Sequence, residues 1–183
     1  MTDLHSPQTL AQMIRASAPL LDRFVRGFDE ASRTAATAGL PNHPIWILGH
    51  CAFTMARFGQ LMGGDAPDAA DFSSDPHEPL RDGQSVSCYC TADIKKNSTP
   101  SSDASRYPSL ARGREIFAQA AENLARTLEA LPAAQLAQTI PWNDGPQRID
   151  ALAMRLCFHN GMHAGQLTDL RRVLGFERIL PIS

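Results

Sequence analysis

Residues 157 to 166 read CFHNGMHAGQ, and the histidine pair His159 and His163 is the first feature with chemistry in it. Four helical residues turn through about 400°, so on a helix the two imidazoles project about 40° apart on one face, one turn above the other. They can then chelate one ion. Both fall in a stripe with Ile149, Leu152, Leu156, Leu167, Leu170 and Leu174 that must face a core. Neutral imidazoles in an apolar core need partners for their ring nitrogens. A third histidine, His50, lies mid-way along HPIWILGHCAF, the most apolar stretch of the chain, with no exposed face to retreat to. Three buried histidines from two helices suit a three-coordinate facial site with open positions for water or substrate. The plainer reading is that each ring bonds to a neighbouring side chain or a buried water. Spacing alone does not choose between the two.

The other candidates are weaker. His5, His43 and His77 sit in an N-terminal stretch, beside Pro44 and in a polar loop; caps and solvated loops account for them, and His43 is the one placed near the mouth of a site. Zinc proteases with the same His-x-x-x-His spacing carry a glutamate base after the first histidine. Here that residue is Asn160, which accepts no proton at neutral pH. Asn160 and Gln166 are candidates for orienting a bound ligand, against the commoner use in helix packing. Trp46, one turn before His50, would wall a pocket or pack in the core. Cys51 and Cys157 adjoin candidate ligands but point about 100° and 160° away from the ligand direction. Cys88-Tyr-Cys90 is by itself a weak metal or redox signal.

These residues need helices to hold them. Ser6-Pro7 starts a first helix with apolar residues at Leu10, Ile14, Leu21, Phe24 and Phe28 and a bend expected at Pro19. Asn42 or His43 before Pro44 opens a second, apolar around most of its circumference from Ile45 to Phe58 and stopped by Gly63-Gly64. A short entry into it implies that helices one and two are antiparallel neighbours. Residues 63–107, rich in Asp, Ser, Pro and Gly, read as a long crossover. A third helix follows Tyr107-Pro108-Ser109 and ends before Pro132. The fourth runs from about Ile149, with Asp150 as its expected cap, to Gly175. No alternating strand pattern competes. The fold class is all-α, and four helices of this length fit a four-helix bundle.

Composition sets the outer bounds. The 183 residues suit one domain spanning 1–183, with 43% hydrophobic and 20% charged residues. A net charge of −2 offers no basic field for nucleic acid. No window holds the roughly 18 apolar residues of a membrane span, and the N-terminus lacks a signal-peptide pattern, so a cytoplasmic protein with free thiols is expected.

At these residues the chain resembles the DinB/YfiT-like superfamily of metal-dependent proteins. The resemblance rests on WILGH at 46 to 50, RYPSL at 106 to 110 and FHNGMHAGQLTDLRRVLG at 158 to 175, covering all but the first helix and the crossover. It implies an up-down-down-up bundle, a divalent metal, zinc or nickel, held by His50, His159 and His163, and homodimers. It also implies transfer of a low-molecular-weight thiol to a small electrophile, or a related reaction of thiol adducts. Many members carry an acidic residue where this chain has Asn160, which leaves a base at that position in doubt. An ion held by three neutral imidazoles keeps its charge and brings the pKa of a bound thiol to about neutrality, so no protein base is required. Two other readings stand beside the enzyme: a stress-related metal-binding or interaction protein without turnover, and a bundle whose core histidines are satisfied without metal. A purely structural zinc would call for four ligands, usually with cysteine.

Overall fold

The computed structural model describes residues 6–64, 94, 97–143 and 145–179. Four long helices form the architecture: α1 (Pro7–Val25), α2 (Pro44–Leu61), α3 (Leu110–Ala130) and α4 (Ile149–Val173). The Ser6 hydroxyl accepts the Thr9 N–H at 3.1 Å, and α1 then runs through Pro19 without a break in the helix. Its apolar spacing continues to Phe28, but the helix stops at Val25. Gly27, at φ +89°, takes the left-handed conformation that side chains resist, and Phe28 turns its ring edge-on to Phe176 at 4.8 Å. At the far end of α2 the same device recurs, with Gly63 at φ +83° just beyond the Met62 cap.

Two details depart from expectation. Asp150 is not the cap of α4: Arg148 holds that position, and Asp150 sits in the first turn. There its carboxylate accepts the Ala151 N–H at 2.7 Å and pairs with Arg148 at 2.6 Å, which places negative charge at the positive end of the helix. A small antiparallel ladder also precedes α4, β1 (Thr139–Ile140) with β2 (Gln147–Arg148), pairing Thr139 with Arg148 and Ile140 with Gln147. Two residues per strand are too few to display an alternating pattern.

Cross-helix ties fix the directions. Arg15 on α1 pairs with Glu122 and Glu129 on α3, and Asp22 with Arg114, so these helices are antiparallel. Ser17 meets Asn160, and the Arg26 carbonyl meets Arg171, so α1 and α4 are parallel. Met55 meets Asn160 and Asn42 meets Gln166, so α2 and α4 are antiparallel. The bundle is therefore up-down-down-up. Its core is built from Leu10, Ile14 and Leu21 of α1, Met55 and Phe58 of α2, Phe117 and Leu124 of α3, and Leu152 and Leu167 of α4.

The neighbour relation expected for α1 and α2 is corrected: α1 packs on α3 and α4, and α2 stands diagonally across from it. The link between them, residues 26–43, is long enough to cross the end of the bundle. On the way the Arg33 guanidinium donates to the carbonyls of Pro108 and Ala104, and the Glu30 carboxylate accepts the Leu110 N–H at 2.7 Å. The link thus caps α3 jointly with Ser109, whose hydroxyl accepts the Arg112 N–H at 3.1 Å.

The returning end of the crossover explains why the first half of α2 is apolar all round. Every residue from Pro44 to Ala52 is buried. The face that helices leave open is covered by the strap at Ile94, Ser98 and Ser101. Trp46 Nε1–H donates to Ser98 at 3.1 Å, and His43 Nε2–H donates to the Ser101 carbonyl at 2.9 Å. His43 is the α2 cap, its Nδ1 accepting the Trp46 N–H at 3.2 Å. No helix of the described residues is long and apolar enough to cross a membrane.

Burial pushes His43 down to about 4, because a charged ring loses its hydration there. An unfolded histidine titrates near 6.5, so between about 6.5 and 4 the unfolded chain holds a proton that the folded one does not, and stability falls as pH falls through that window. His43→Asn keeps a capping acceptor and removes one such group. Urea unfolding at a series of pH values should show a shallower loss in the variant, by at most about 1.4 kcal/mol per pH unit; identical pH dependence would refute the assignment.

Candidate metal centre

Because α2 and α4 run antiparallel, the middle of one faces the middle of the other, and His50 meets His159 and His163. The Nε2 atoms of His50 and His159 lie 3.1 Å apart, and those of His163 and His159 lie 3.2 Å apart. All three rings offer a nitrogen within 4.8 Å of the others.

The opposite ring nitrogens are anchored. His50 Nδ1 lies 2.5 Å from the Ile94 carbonyl oxygen, which can only accept, so the proton is on Nδ1. Trp46 stacks on the same ring at 4.6 Å with an interplanar angle of 8° and fixes its plane. His163 Nδ1–H donates to Gln166 Oε1 at 2.8 Å, and that oxygen is held from its other side by Asn42 Nδ2 at 3.1 Å. Two of the three Nε2 atoms therefore present lone pairs to the cluster's centre. The third ring, His159, has a buried Nδ1 with no partner among the described residues.

Protons do not resolve this arrangement. A proton on His159 Nε2 could serve only one of the two facing lone pairs, and it would leave Nδ1 a buried acceptor with nothing to accept. Charging a ring is opposed by burial. Burial, then the neighbouring His163, His50 and Arg155, hold His159 near 3. Burial and then His50 hold His163 near 4, and burial lowers His50 despite the Ile94 bond. A divalent cation satisfies all three lone pairs at once. Nitrogens bound at about 2.0–2.1 Å to one ion lie about 2.9–3.4 Å apart for bond angles from 90° to the tetrahedral value, and 3.1 and 3.2 Å fall within that span. The donor set fits a divalent ion with open positions.

Among the described residues no cysteine joins the cluster. Cys51 is buried, and desolvation raises its thiol pKa, which makes it inert. Cys88, Cys90, His5 and His77 lie outside the described residues. Gln166 stands on the cavity beside the cluster. Asn160 does not line it: buried between helices, it donates to Ser17 Oγ of α1 at 3.1 Å and approaches Met55 Sδ at 3.8 Å. That is a packing position.

A cavity of about 530 Å³ opens on the cluster, walled by Trp46, Phe53, Leu156 and Met162. Two larger hollows, about 590 Å³ between α2 and α3 and about 690 Å³ between α1 and α3, are lined by no histidine or cysteine. Sequence reading passed over Arg57, Arg155 and Trp142, which also line the histidine cavity. Helical phase was the available signal for the first two: Arg57 is seven residues after His50 and Arg155 four before His159, about 20° and 40° off the ligand directions. Nothing in the sequence marks the Ile94 carbonyl, since a backbone acceptor carries no residue type.

The DinB superfamily profile matches residues 13–167, most of the chain, and the chain belongs to that superfamily. No curated protein and no solved structure matches it significantly. Membership and the three-histidine group together are compatible with a divalent-metal site.

If Gln166 sets the tautomer of His163, Gln166→Ala should weaken zinc affinity about 10- to 100-fold, and His159→Ala should abolish stoichiometric uptake. Competition against a chromophoric chelator, using untagged protein, reads both. Unchanged affinity in the two variants would mean that the cluster is not the ion's seat.

Proposed function

We propose that this protein is a metal-dependent enzyme that transfers a low-molecular-weight thiol to a small electrophile, with His50, His159 and His163 as the ligands of a zinc or nickel ion. The single observation behind the reading is the convergence of three Nε2 atoms whose rings are held from behind by a carbonyl and an amide. A bound divalent ion supplies a full positive charge that favours ionisation of a thiol near neutral pH.

The chain's own residues do the rest. Gln166 and the Ile94 carbonyl keep the Nδ1 protons in place, so the Nε2 lone pairs stay available. Trp46, Phe53 and Leu156 exclude water from one side of the cavity, which favours reaction of sulfur over hydrolysis. No carboxylate lines this cavity among the described residues, and the three imidazoles are committed, so the thiol proton leaves to solvent through the open side. The sulfur electron pair then forms the S–C bond, and the leaving group departs with its own bonding pair. The absence of a glutamate after His159 is consistent with chemistry that needs no protein base.

Cysteine or glutathione with chlorodinitrobenzene, followed at pH 7, tests the reading. Zinc- or nickel-loaded protein should release chloride and form the thioether, and His163→Ala should reduce kcat/KM by at least about 100-fold, in line with the loss of an essential electrostatic group. Equal turnover by the two proteins overturns the proposal. Stoichiometric metal without turnover of any thiol points instead to a binding protein.

A further inference from the structure

The histidine cavity continues along α2 beyond His50. On the face that carries His50, helical spacing places Phe53, Thr54 and Arg57 three, four and seven residues further on, and all three line the cavity. The Thr54 hydroxyl donates back to the His50 carbonyl at 2.7 Å, so this floor offers a phenyl ring and a methyl group. Arg57 stands roughly 10 Å beyond His50 along the helix axis. The cavity thus has histidines at one end of an apolar floor and a guanidinium at the other.

Arg57 is fixed by the turn between β1 and β2. Its Nη1 donates to Asn143 Oδ1 at 2.6 Å, and the guanidinium lies over the Trp142 ring at 5.0 Å, while Trp142 itself meets Phe58 edge-on at 6.2 Å. Arg15 and Arg114, by contrast, are matched to acids, Glu122 and Asp22. The neutral amide and aromatic face beside Arg57 orient its fork without neutralising it. Its Nε and Nη2, the paired donors along one edge of that fork, have no acceptor among the described residues. No Asp or Glu lines the cavity among the described residues either. An oriented cation with an open edge complements an anion, and paired, coplanar N–H donors favour a carboxylate.

Resting on the metal-site reading above, we propose that Arg57 is the residue that selects the thiol: it binds a carboxylate on the substrate whose sulfur reaches the three histidines. The thiol is then an acid in which sulfur and carboxylate lie several bonds apart. The segment joining them runs along Phe53 and the Thr54 methyl. Holding both ends orients the sulfur as well as adding affinity; a neutral thiol of the same length would enter the cavity with its far end free.

Calorimetric titration of 6-mercaptohexanoate and its neutral counterpart 6-mercaptohexan-1-ol, at constant ionic strength, tests this on zinc-loaded and zinc-free protein in parallel. The parent should bind the acid at least about tenfold more tightly than the alcohol in both states, as expected for a charge-assisted pair. Arg57→Gln should bring that ratio to about threefold or less, with the alcohol's affinity, zinc uptake and helicity at the parent's values. Arg57→Lys keeps the charge without the fork and should fall between the two. Equal binding of acid and alcohol by the parent, a preference that survives Arg57→Gln, or an equal loss of both ligands in that variant overturns the assignment. Absence of zinc uptake with the Arg57-dependent preference intact removes the metal reading and leaves the carboxylate site standing, whereas zinc uptake without the preference does the reverse.

Discussion

The structure turns on three imidazoles made to face one another at the wall of a cavity. Left to themselves the rings would rotate apart or exchange protons, and burial blocks the second route by opposing a charged ring. The first is blocked from behind, at Nδ1, by the Ile94 carbonyl for His50 and by Gln166 for His163. A divalent cation would remove the remaining conflict. The bundle holds the conflict in place through its core, where Leu10, Ile14, Leu48 and Phe58 are almost completely buried and each large apolar side chain contributes about 1.5–3 kcal/mol.

Helix directions follow from the same requirement. His159 and His163 lie one turn apart on α4, and the third ring comes from α2, which runs antiparallel to it. The diagonal placement of α1 and α2 achieves this by freeing α2 to lie beside α4. Asn160 contributes from the other flank of α4, where its amide bonds to Ser17 and seats the helix on α1, although its own Oδ1 is buried without a partner among the described residues. The residue after the first histidine thus packs between α4 and α1.

Periodicity made much of this legible. The cap at Ser6, the start of the third helix after Ser109, the stop at Gly175 and the apolar stripes of the helices follow from local rules that act within a few residues, and the structure honours them. The pairing of His50 with the α4 histidines was legible because a histidine in a helix apolar on every side has nowhere else to go. What could not be read were relations set by the ends of the bundle. The end of α1 depended on the φ of Gly27, which overrode an apolar spacing that ran on to Phe28. The neighbour order depended on where the 26–43 link crosses, and that was decided by Arg33 reaching two carbonyls and Glu30 reaching an amide, contacts between residues more than seventy positions apart. The two-residue strands before α4 were below the length at which alternation has meaning.

The crossover is the least regular part of the chain, yet its returning end reaches the centre of the site. It supplies the Ile94 carbonyl to His50, the Ser98 hydroxyl to Trp46, which stacks on His50, and the Ser101 carbonyl to His43, which caps the helix that carries both. Three successive positions on α2, one turn or so apart, are thus each completed by the strap. A polar group buried on α2 without the strap would cost its full desolvation, on the order of 1–3 kcal/mol each. Docking of the strap and the geometry of the histidine cluster are therefore coupled, and the tautomer that turns His50 Nε2 toward its partners is set from outside the four helices.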